Sequence, residues 1–135
     1  MMQGSRFETF RSGLAYALVV VASAAGNSAF AQVAAPFIGT WKTNWQTDQK
    51  SYSAVMKVTE HGGTWQTFTK DKNNPCAGRE VPMKVDSATP TEVKFTLQFS
   101  EAIPGCTNTT VKLNAAPDGT VTGMRSKFEL GLVKQ

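Results

Sequence analysis

The chain has 135 residues, 41% of them hydrophobic and 18% charged, with a net charge of +4. That length leaves room for one domain and argues against two. The charge is mild and the lysines are scattered (Lys70 and Lys72 flank Asp71), so the basic face of a nucleic-acid-binding module is absent.

The first 31 residues read as a secretory signal peptide. Arg6 and Arg11 precede an apolar run from Leu14 to Ala22. The segment closes on Ala29-Phe30-Ala31, a small-x-small cleavage pattern just before Gln32. A bilayer span needs about 20 apolar residues, so a run of this kind predicts a leader that is removed. No cysteine follows the cleavage point to carry a lipid, since the first is Cys76. The expected product is periplasmic or secreted, has no membrane anchor and starts near Gln32. It keeps 104 residues, with twelve basic against nine acidic side chains. Residues 32–36 are expected to form a loose N-terminal arm.

Alternation with a period of two then dominates. From Phe37 onward the chain alternates, and Trp41 and Trp45, four residues apart, share a face if they lie on one strand. In 52–59, Tyr52, Ala54, Met56 and Val58 point one way. His61-Gly62-Gly63 breaks this run from Thr64–Thr69. Val81, Met83 and Val85 alternate next, and Pro82 among them predicts a strand at a sheet edge. The clearest strand is 93–100, with Val93, Phe95, Leu97 and Phe99 inward and Lys94, Thr96, Gln98 and Ser100 outward. Thr109, Val111, Leu113 and Ala115 form another. Ala116-Pro117-Asp118-Gly119 supplies a tight turn before a last strand carrying Phe128, Leu130 and Leu132. Seven to eight short strands so spaced predict an all-β domain, a small antiparallel meander barrel or sandwich.

Export places Cys76 and Cys106 in an oxidising compartment, and two cysteines allow one intramolecular pairing. Both lie in turn-like sequence, after Asn73-Asn74-Pro75 and after Pro104-Gly105. A structural disulfide between two loops is expected. Cys-x-x-Cys redox spacing is absent, and two cysteines with one histidine fall short of a zinc set.

Catalytic chemistry is poorly supplied. His61, the only histidine, sits in a turn beside two glycines, and no phosphate loop, His-Glu-x-x-His or serine elbow occurs. The expectation is a non-enzymatic protein with no cofactor and no metal. Asn108-Thr109-Thr110 matches a glycosylation sequon, which would act only in a eukaryotic host. The aromatic residues are the remaining signal. Trp41, Trp45, Tyr52, Trp65, Phe95 and Phe99 are the expected walls of an apolar ligand site inside the barrel.

Phe37-Ile38-Gly39-Thr40-Trp41 resembles the Gly-x-Trp opening of the calycin superfamily, which contains the lipocalins and avidins. The resemblance implies a small meander barrel with Gly39 and Trp41 on its first strand, Trp41 closing the base, and a small apolar ligand. No tryptophan follows Trp65, so the biotin wall of the avidins is not carried over. The domain is also similar to small periplasmic metalloprotease-inhibitor barrels, which carry a Gly-x-Trp strand and one disulfide. That similarity implies the alternative function, a protein-interaction module acting on a secreted partner through its arm or loops.

Overall fold

A computed structural model describes residues 32–70 and 73–135. The expected signal peptide and its cleavage site lie outside the described residues.

The domain is a closed, eight-stranded, antiparallel barrel in simple up-and-down order. Its strands are β1 (Gly39–Gln46), β2 (Ser51–Thr59), β3 (Gly62–Phe68), β4 (Glu80–Ala88), β5 (Glu92–Leu97), β6 (Thr109–Ala115), β7 (Val121–Arg125) and β8 (Phe128–Lys134). Trp41 opposite Lys134 and Asn44 opposite Gly131 close the ring between β1 and β8. Closure removes the edges that an open sheet must protect.

Each strand turns its alternate apolar residues inward, as the sequence period requires. Met56, Trp65, Val81, Val93, Phe95, Leu97, Val111 and Leu113 are fully buried in one continuous core. One turn of chain and one side chain cap the lower end. A single 3₁₀ turn at Ala35–Phe37 tucks Phe37 beneath the barrel, and the Trp41 indole donates its Nε1–H to Phe37 O at 2.9 Å. The Lys134 side chain crosses directly above Gly39, where a Cβ would meet its Cε at 2.8 Å, and brings its ammonium to 5.3 Å from the Trp41 ring. The glycine of Gly39-x-Trp41 thus makes room for a cation over the tryptophan.

The arm expected to be loose is docked. Val33 is buried and its N–H donates to Glu60 O at 2.9 Å, while Gln32 Nε2 reaches Glu60 Oε2 at 3.1 Å. Pro82 also departs from expectation, because the closed barrel gives it no edge. Its carbonyl faces β5 and accepts Gln98 N–H at 2.9 Å, where β5 has already ended at Leu97. The proline nitrogen points the same way, toward Gln98, whose carbonyl instead accepts Glu101 N–H at 3.2 Å, so the missing donor leaves no acceptor unpaired there. The strand expected over 93–100 stops at Leu97, and Phe99–Ala102 forms one helical turn, α1.

The eighth strand comes from a hairpin that carries no glycine, proline or asparagine. Arg125 pairs with Phe128, leaving Ser126-Lys127 as a two-residue turn with Ser126 at φ 53°. Two-residue hairpins need positive φ at the first central residue, a conformation costly for a side chain with a Cβ. Ser126→Gly is expected to raise stability by about 0.5–1 kcal/mol, read as an increased midpoint in urea with an unchanged slope. The β6–β7 turn is built conventionally. Asp118 Oδ1 accepts Thr120 N–H at 2.9 Å, which holds that carboxyl below the usual carboxylate range.

Candidate functional site at the open end of the barrel

The four loops opposite the Trp41 base join β1 to β2, β3 to β4, β5 to β6 and β7 to β8. Two of them are longer and lean over the mouth. The β3–β4 loop is held against β3 by Gly78 N–H on Thr67 O at 2.8 Å and by Gln66 Nε2 on Gly78 O at 3.1 Å. The β5–β6 loop contains α1, whose Ser100 N–H is capped by Asn108 Oδ1 at 2.9 Å. The sequon asparagine therefore has a local structural task. The Cys76–Cys106 disulfide links these two loops across 30 residues of chain, and the described residues contain no free cysteine.

Beneath the loops lies a cleft of about 220 Å³, lined by Trp45, Tyr52, Thr67, Phe99, Thr107 and Arg125 together with Thr47, Asn74 and Cys76. Its aromatic wall follows from strand register. Trp45 and Tyr52 are direct cross-strand partners at the top of β1 and β2, and their rings stack at 5.4 Å with planes 14° apart. Trp65, one strand further on, tilts against Trp45 at 5.7 Å. Its Nε1–H is satisfied within the barrel by Thr67 Oγ1 at 2.8 Å. Phe99 is brought over the mouth by the turn of α1.

The six expected wall residues therefore divide. Trp45, Tyr52 and Phe99 line the cleft. Trp65 is fully buried behind Trp45 and does not line the cleft. Trp41 lies at the opposite, plugged end, and Phe95 is fully buried in the filled middle of the barrel. Large side chains from all sides pack together around these two.

Sequence reasoning missed Arg125. Its guanidinium lies 4.8 Å from the Trp45 ring centre, 5.9 Å from Trp65 and 6.0 Å from Phe99. Its Nε is buried without a hydrogen-bond acceptor, and the ion pairs found among the described residues, Lys57–Glu80 and Lys112–Glu92, lie elsewhere. Burial pushes the Arg125 guanidinium below its ordinary value, and Tyr52 works in the opposite direction. An arginine nonetheless stays charged in a protein. The signal was the period of two: if a strand starts at Val121, then Gly123 and Arg125 share its inner face. Gly123 is buried, and a Cβ there would meet Leu113 Cδ2 at 2.7 Å.

Two other features bear on chemistry. His61 is exposed in the β2–β3 turn, far in sequence and register from the mouth. Among the described residues, no group of three or more histidine, cysteine, aspartate or glutamate side chains is placed to hold a metal ion, and no helix is long and apolar enough to cross a membrane. Comparison of the chain with protein families, curated proteins and solved structures produced no match.

Proposed function

We propose that this is an exported, non-enzymatic binding module that takes a small ligand with an apolar body into the mouth of its barrel. The observation carrying this reading is the cleft at the open end, with the stacked Trp45–Tyr52 pair on one side and Phe99 on the other. Ligand sites are concave and largely aromatic, with a few polar groups that set orientation. Here Thr47, Thr67, Asn74 and Thr107 are the polar groups. The cleft is smaller than the ~300–1,000 Å³ of drug-sized sites, so its occupant is about one ring in size. A lipocalin-like role in the broad sense agrees with this, although the ligand sits at the rim rather than in the interior.

Export is supported by the leader sequence and by the disulfide, which persists in oxidising compartments. The alternative, a protein partner engaged through the N-terminal arm, has less support, because Val33 and Phe37 are buried against the barrel.

The test is a panel of one-ring and short-chain compounds read by tryptophan fluorescence and thermal shift. Binders are expected to change Trp45 emission, and Trp45→Ala is expected to weaken their binding by about tenfold or more, the loss typical of a central aromatic contact. A panel that leaves both fluorescence and melting temperature unmoved would count against the mouth as a site.

A further inference from the structure

The mouth holds a charge that no acidic side chain among the described residues pairs with. Arg125 ends β7 on its inner face, and its guanidinium lines the cleft amid three aromatic rings. Ring faces offer a cation some electrostatic attraction but no hydrogen-bond acceptor along the N–H directions. A partly desolvated charge is costly unless paired. Arg125 Nε and Thr109 Oγ1 are the buried side-chain polar atoms left without partners among the described residues. Both belong to the open end, on the neighbouring strands β6 and β7, where Val111 is the register partner of Arg125. The other buried polar groups are satisfied: away from the mouth Thr43 donates to Ala54 O and Trp41 to Phe37 O, and beside it Trp65 donates to Thr67 Oγ1. The polar deficit is therefore local to the mouth, and its sign is positive.

We propose that the mouth binds a small organic monocarboxylate, with the carboxylate on the Arg125 guanidinium and the apolar body against Trp45, Tyr52 and Phe99. A planar guanidinium matches a carboxylate with two parallel hydrogen bonds. A single cation among the described lining residues suits one negative charge better than the two of a phosphate monoester, and the threonine hydroxyls and Asn74 add neutral donors. This assignment rests on the mouth being the ligand site and adds the chemical class of the ligand.

Three probes of similar size separate the two claims: benzoate, benzyl alcohol and phenyl phosphate, each titrated into the intact domain by calorimetry and tryptophan fluorescence. Benzoate is expected to bind about tenfold or more tightly than benzyl alcohol, the size of a charge-assisted hydrogen bond. Arg125→Leu is expected to abolish that preference, costing benzoate about tenfold or more and benzyl alcohol much less. Should Arg125→Leu fail to fold, the wild-type protein carries the test. Its affinity for benzoate should fall with pH in step with protonation of the ligand, while its affinity for benzyl alcohol stays level. Equal binding of benzoate and benzyl alcohol, insensitive to pH and to Arg125→Leu, overturns the carboxylate assignment and leaves the mouth as a site. Tighter binding of phenyl phosphate than of benzoate also overturns it. No binding by any of the three overturns both claims.

Discussion

Trp41→Ala is expected to remove about 3–5 kcal/mol of stability, the range for truncating a buried aromatic residue, while leaving binding at the mouth unchanged. Trp41 is nearly fully buried at the base, donates to Phe37 O and carries Lys134 over its ring. Its removal leaves a cavity, frees the 3₁₀ turn that holds Phe37 in place and exposes the end of the core. A domain of this size has about 5–15 kcal/mol in total, so the variant should fold but melt more than about 10 °C lower. Trp45→Ala should differ in binding. Trp45 is as buried as Trp41 but lines the cleft and stacks on Tyr52, so its truncation should cost comparable stability and, unlike Trp41→Ala, affinity. Ligand titration on both variants, with urea denaturation beside it, separates the plug from the wall. If Trp41→Ala lost affinity while keeping its stability, the division of the barrel into a sealed base and a working mouth would be wrong.

That division marks how far the sequence could be read. Period-two alternation is a property of each strand alone, so β2, β5 and β6 were legible, and their order followed from short turns. Three things depended on the whole barrel. The Ser126-Lys127 hairpin escaped notice because its turn residues carry no local signal, and the barrel imposes positive φ on Ser126 through the pairing of Arg125 with Phe128. The end of β5 at Leu97 was hidden because one helical turn keeps Phe99 on the same side that strand alternation would have given it. Pro82 looked like an edge residue because sequence shows a missing donor but not where that donor would have pointed.

The site was half legible for the same reason. Trp45 and Tyr52 come from adjacent strands joined by a short loop, so their pairing follows from local register. Arg125 belongs to a strand that reads as surface unless β7 is separated from β8. Only then does its inward direction bring a cation beside Trp45, from the far side of the chain. The aromatic half of the site was therefore a matter of composition, and the charged half a matter of closure.

Removing the disulfide as Cys76→Ala/Cys106→Ala is expected to cost about 3.5 kcal/mol, the loop-closure entropy that a 30-residue cross-link removes from the unfolded chain. The double variant is preferable to either single one, which would leave a free thiol. The strand ladders do not depend on the bridge, so the circular dichroism of the barrel should persist while the urea midpoint falls. The mouth should suffer too. The bridge joins the loop that carries Asn74 to the loop that carries Phe99 and Thr107, and all three line the cleft. Untied, these loops must be ordered at the moment of binding, and immobilising each side chain costs about 0.5–1.5 kcal/mol. Affinity should then fall even though no residue of the aromatic wall or Arg125 has changed. A stability loss well below 1 kcal/mol would mean that the bonds between Gly78, Thr67 and Gln66 already fix the β3–β4 loop without the bridge. An unchanged affinity in a destabilised double variant would show that the strands alone shape the mouth, with the loops serving only to shield it.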